Sequence, residues 1–289
     1  PEMVAAAPKE GALRPPVAMA MLAAFLVMLV AVVLFGGKRP LSNYVPLEKS
    51  PEVLRETARD MARSAGYSEP LDSADWFVVR NDMLNYIAQN DKSQDRWEKM
   101  KSTRPSAMTF RYRQSPRYLE TSDGRINADA PPRTVPGMVD VNLDTRGQLR
   151  LFRAVPPQGI DRGPTTPNEI DWSTFFAAAG LDQADFHPVE SKLTPRASYD
   201  FSTAWEGAYP EDPQKPIRVE AAAFLGKVVW FEMVHSWEQP AREVATPMPT
   251  GQKVQLGLGI ALVSLAAIGG GLLTVKNIRL GRGDRRGAF

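Results

Sequence analysis

MVDVNLDTRGQLRLFRAV, residues 138–155, decides the fold. Val139, Val141 and Leu143 alternate with polar residues, Asp144-Thr145-Arg146-Gly147 supplies turn chemistry with glycine where positive φ is needed, and Leu149, Leu151 and Phe152 return. Two alternating arms around such a turn predict a β-hairpin with one buried face. Pro156-Pro157 then ends the pairing, because proline has no N–H to give to a ladder. The arms IRVEAAA and VVWFEMVHSW, within residues 217–237, predict a second hairpin about the turn Phe224-Leu225-Gly226-Lys227.

Outward from the hairpins the pattern becomes helical. Ser50-Pro51-Glu52 opens a helix well, with serine as N-cap, proline at the first helical position and an acid near the positive end of the dipole. Val53, Leu54, Thr57, Ala58, Met61, Ala62 and Ala65 follow at helical spacing, and Gly66 stops them. Residues 76–79 read as a short strand, 81–90 as a helix, 94–104 as a charged exposed stretch and 107–112 as a half-buried strand. The glycine- and proline-bearing loop 158–168 is the best internal boundary. Beyond it the plan recurs: a short helix within 171–181, extended pieces near 186–190 and 199–205, then the second hairpin. This order predicts an α+β domain, an antiparallel sheet with helices on one face, in two similar helix-strand-hairpin halves at 47–158 and 168–240.

Two apolar segments flank that domain. Residues 254–275 carry no charge, enough to cross a bilayer core of about 30 Å as a helix of about 20 residues. KNIRLGRGDRRGAF follows, with Lys276, Arg279, Arg282, Arg285 and Arg286 against the single acid Asp284, and basic flanks stay on the cytoplasmic side. The uncharged segment 16–37 predicts a first span. A cleaved signal peptide would need a shorter apolar core, about 7–15 residues, and a clear small-residue cleavage site. The expected topology is a cytoplasmic linker at 1–15, spans at 16–37 and 254–275, an extracytoplasmic domain at 38–253, and a basic cytoplasmic segment at 276–289. Gly257, Gly259, Gly269, Gly270 and Gly271 would let another helix approach closely, so helix pairing or a homodimer is an expected partner state beside the lipid bilayer. An opening Pro1 and an end within a basic stretch suggest a piece of a longer protein.

The chemistry-bearing residues exclude more than they assign. Among 289 residues there is no cysteine, which removes disulfides, thiolate zinc sites and a cysteine nucleophile. Lysine and arginine number 35 against 33 acids, and no patterned basic face for nucleic acid emerges. The two histidines, His187 and His235, lie far apart and predict no metal site, since zinc needs three or four grouped ligands. Phosphate-loop, nucleophile-elbow and zincin motifs are all missing, so no catalytic residue is assigned. Trp76, Phe77, Trp172, Trp205, Tyr209, Trp230 and Trp237 are expected to be mostly core. The sharper expectation is a ligand groove at Trp205, Glu206 and Tyr209, beside the loop PEDPQKP. The run 91–101, DKSQDRWEKMK, reads as a solvated face.

The opening PEMVAAAPKEGALRP (1–15) and the closing KNIRLGRGDRRGAF (276–289) resemble the segments bracketing the sensor region in a family of large bacterial membrane serine/threonine protein kinases. FRYRQSPRYL (110–119), VPGMVDVNLDTRGQLRLFRAVPPQ (135–158), DFSTAWEG and IRVEAAAFLGKVVWFEMV are similar as well. The resemblance implies a multi-pass protein of the bacterial cytoplasmic (inner) membrane, whose periplasmic sensor domain meets an unknown ligand or protein and signals to a kinase domain preceding the first span. The Gly-rich loop, strand lysine, catalytic aspartate and D-F-G of a kinase are absent from these residues, so ATP and Mg are expected only on that other domain, and no cofactor on this one. The alternative expectation is an envelope binding or assembly protein with two anchors and no signalling output.

Overall fold

The computed structural model describes residues 15–36, 44–121, 124–159, 170–238 and 250–280. They fall into two compact units, Pro1–Glu238 and Gln239–Phe289. The first is α+β and is built on one eight-stranded sheet. Its strands are β1 (Asp72–Val79), β2 (Met108–Ser115), β3 (Val139–Asp144), β4 (Leu149–Ala154), β5 (His187–Val189), β6 (Phe201–Tyr209), β7 (Asp212–Phe224) and β8 (Lys227–His235). They lie in the order β1-β2-β3-β4-β8-β7-β6-β5, every neighbour antiparallel. Two four-stranded meanders thus meet through β4 and β8, where Phe152 faces Phe231.

Both hairpin turns form where turn chemistry put them. At the first, the Asp144 carboxylate accepts from the N–H groups of Arg146 (2.9 Å) and Gln148 (2.8 Å), and Gly147 closes the reversal at φ +83°. The second is a two-residue loop between paired Phe224 and Lys227, with positive φ at both Leu225 (51°) and Gly226 (74°). That geometry matches the right-handed twist of the arms, which is why hairpins favour it.

One face of the sheet carries the core. Phe110, Tyr112, Val139, Val141, Leu143, Phe152, Val219 and Phe231 are buried against α2 (Pro51–Ser64) and α4 (Ser173–Ala178). Helix α2 delivers Leu54, Ala58, Met61 and Ala62 to it, and its Ser50 cap accepts from the N–H of Val53. Helix α4 delivers Phe175 and Phe176, whose rings meet Phe152 at 5.3 Å and Phe231 at 5.6 Å edge to face. Each side chain so buried contributes about 1.5–3 kcal/mol, so the two helices fasten both meanders to a single core.

Three expectations need correcting. Strand β1 starts at Asp72, because pairing of Asp72 to Ser115 extends β2's ladder through residues whose type suggests a turn. The run 91–101 is not wholly solvated: it holds a 3-10 turn at Glu98–Lys101, and Met100 is buried with Val45, Met83 and Ala107. This cluster, with Trp97 and Trp237 packed on it, takes in α3 (Asn81–Asn90), so α3 does not join α2 and α4 in the main core.

Helix α1 spans Pro15–Gly36, and α5 spans Thr250–Arg279. Among the described residues one stretch, Lys253–Lys276, is long and apolar enough to cross a membrane, whereas the apolar stretch Pro15–Val30 is shorter. Lys276 and Arg279 occupy the last turn of α5. Arg282, Arg285 and Arg286, the linker up to residue 14 and the boundary loop from residue 160 lie outside the described residues.

Candidate functional site

Residues paired across strands share a face, so the register lays out the side of the sheet opposite α2 and α4. One row runs from Trp76 through Arg111, Asn142 and Leu151 to Glu232. The next runs from Ala74 through Arg113, Asp140 and Arg153 to Trp230. Arginines therefore occupy alternate positions on β2 and recur on β4, with one aspartate between them.

Asp140 is shared by three guanidinium groups. Its Oδ1 accepts from Arg113 Nε at 2.6 Å, and its Oδ2 accepts from Arg153 Nη2 at 2.9 Å and from Arg133 Nε. Burial would raise its pKa, but the charges of Arg153, Arg113 and Arg133 hold it below the usual carboxylate range. Arg113 also donates from Nη1 and Nη2 to the carbonyls of Pro131 and Ala128, both at 3.1 Å, and lies 5.8 Å over the Trp76 ring. It thereby ties the 124–137 segment to the sheet. Arg133 also donates to the Ala128 carbonyl.

Arg111 has no such partners. Its side chain makes no hydrogen bond or ion pair among the described residues, and its Nε is buried and unpartnered, as are Arg153 Nε and Thr109 Oγ1. Burial depresses its pKa, helped by the like charges of Arg80, Arg133 and Arg153. The nearest counter-charge along its row, Glu232, accepts from Trp230 Nε1 at 2.9 Å, and burial together with Glu238 pushes its pKa up, toward the neutral acid. Three arginines thus share one ionised carboxylate, and Arg111, on the same face, has no carboxylate partner among the described residues.

A second charged cluster lies about the end of β8. Glu238 accepts from Arg80 and, at 3.3 Å, from Arg150 Nη2. His235 lies with Nδ1 3.3 Å from Glu238 Oε1 and 3.5 Å from Arg150 Nη2, and with Nε2 3.1 Å from the Tyr209 hydroxyl. Burial lowers the His235 pKa to about 4. Glu238, despite its own burial, is held below the carboxylate range by His235, Arg80 and Arg150. Its residues pair with one another, which makes the cluster structural, although Arg150 Nη1 is buried without a partner.

The predicted groove residues do not converge. Trp205 and Tyr209 are buried on the core face, Trp205 against Trp172 and Phe176, Tyr209 on His235. Glu206 points to the other face, where Arg218 Nη1 donates to it at 2.6 Å. At Gly207 the Phe186 ring fills the space, 2.6 Å from where a Cβ would stand. His187 is exposed on β5, away from His235. Among the described residues no three histidine, aspartate or glutamate side chains gather as metal ligands. Sequence reasoning missed Arg111, Arg113, Arg133, Asp140 and Arg153. The signal was the polar half of the alternation in TFRYRQ, which marks a face but does not say what faces it. No family model, curated protein or solved structure matches the chain.

Proposed function

We propose that the chain is the membrane-anchored sensor region of a bacterial receptor-like serine/threonine protein kinase, with residues 38–253 outside the cytoplasmic membrane between spans at 16–37 and 254–275. The observation that carries the anchoring is the pairing, in one chain, of a self-contained sheet domain with the apolar stretch Lys253–Lys276 and its basic last turn. The second anchor is the reading of the apolar stretch Pro15–Val30 within the 22-residue helix α1, a stretch shorter than Lys253–Lys276. The binding role is supported by the arginine face, whose charge is poorly matched within the domain. The kinase connection rests on the resemblance of residues 1–15, 110–119, 135–158 and 276–289 to that family. Phosphoryl transfer, with its ATP and Mg, then belongs to a kinase domain outside these residues.

A chain without cysteine permits a clean topology test. Single cysteines replace Glu120, an exposed residue of the domain, and Gly287 in the basic tail. An impermeant maleimide should label Glu120→Cys on intact spheroplasts and Gly287→Cys only after permeabilisation. The opposite pattern would overturn the orientation. Kinase motifs upstream of residue 1 in the reading frame would favour signalling, and their absence would favour an envelope assembly role.

A further inference from the structure

We propose that Arg111 and Arg153, with Arg133 beside them, bind a phosphate group, free or carried as a monoester, on the sheet face opposite α2 and α4. The inference gives the proposed sensor domain a ligand class, yet it stands on the domain's own residues. Topological labelling reads placement and the test below reads binding, so either can fail alone.

Arg113 uses one N–H from each of its three nitrogens on Asp140 and two carbonyls and so positions its neighbours. Arg111 has all its donors free among the described residues, and Arg153 has a buried, unpartnered Nε. Thr109, two residues from Arg111 on the same face of β2, adds a buried hydroxyl with no partner. Buried donors without acceptors are costly, and buried like charges more so, unless an anion arrives. Arg113, Arg133 and Arg153 share the single charge of Asp140, and Arg111 has no carboxylate of its own. That surplus suits a dianion better than a lone carboxylate. Planar guanidinium forks on β2 and β4, on one face of the sheet with β3 between them, also match the several oxygens of a phosphate, which accept two parallel N–H bonds at a time.

Thermal unfolding of the full chain in phosphatidylcholine nanodiscs tests this, because a ligand that binds only the folded state raises its midpoint. Inorganic phosphate should raise the midpoint at constant ionic strength, whereas chloride should not. Arg111→Gln should weaken phosphate binding about tenfold or more, the loss expected for a charge-assisted contact. Without phosphate, Arg111→Gln should be as stable as the parent or more so, since it removes an unpaired cation from a crowded face. Arg63→Gln, on the exposed surface of α2, should leave the phosphate shift unchanged. Nanodiscs containing phosphatidic acid, without soluble phosphate, separate the sources: a raised midpoint there identifies a lipid headgroup as the carrier. No shift from either source, an equal shift in Arg111→Gln, or destabilisation of Arg111→Gln in the absence of phosphate would overturn the proposal.

Discussion

His235 shows how one residue's surroundings set a property of the whole domain. Its ordinary pKa near 6.5 drops to about 4 because the ring is buried and cannot be charged cheaply. Between those values the unfolded chain binds a proton that the folded chain refuses, so stability is complete above about pH 6.5 and falls as pH drops toward 4. A shift of this size corresponds to about 3 kcal/mol. Urea unfolding of the chain in detergent should therefore show a midpoint that declines from pH 6.5 to 4.5, and His235→Gln should flatten that decline. An unchanged slope in the variant would place the proton uptake elsewhere. Asp140 and Glu238 are held below the carboxylate range, so their contributions persist above their unfolded pKa values and fade at still lower pH. None of this was legible in the sequence, where His235 is one histidine on an apolar strand. Its neutrality comes from burial, helped by the charges of Arg150 and Arg80 against the opposing pull of Glu238, surroundings that only the folded sheet assembles.

At the scale of elements, legibility follows how local each pairing is. The two hairpins were readable because arms and turn are contiguous, and alternation reveals which side chains share the buried face. Helix α2 was readable from its cap and spacing. The junction of β4 with β8 was not, since Phe152 and Phe231 are brought together only by the closing of the whole sheet. Strand β1 was half-hidden for the same reason: pairing with β2 overrides the turn preference of Asp72, Ser73 and Asp75. The turns themselves carry the sharpest prediction. Leu225 holds φ 51°, where an L residue with a full side chain costs about 1–2 kcal/mol, and asparagine tolerates that region far better. Leu225→Asn should raise the unfolding midpoint, while Gly147→Val, at φ +83°, should lower it by more than Gly147→Ala does. A destabilised Leu225→Asn together with a neutral Gly147→Val would contradict the hairpin geometry.

For the whole molecule, the arginine face is where sequence reading stopped and structure began. TFRYRQ and LRLFRA display arginines at regular positions, but only the cross-strand register reveals that Arg113, Arg133 and Arg153 converge on Asp140 while Arg111 does not. The predicted Trp205, Glu206 and Tyr209 groove failed because those residues divide between the two faces. What unites the account is a sheet domain complete in itself, carried by a chain that also holds a membrane-length helix. That claim is tested most directly by urea unfolding of residues 44–238 alone, in buffer without detergent, followed by tryptophan fluorescence. A self-sufficient domain should show one cooperative transition, with the midpoint it shows within the full chain. A broad, non-cooperative change, or a fragment that stays in solution only with detergent, would contradict it.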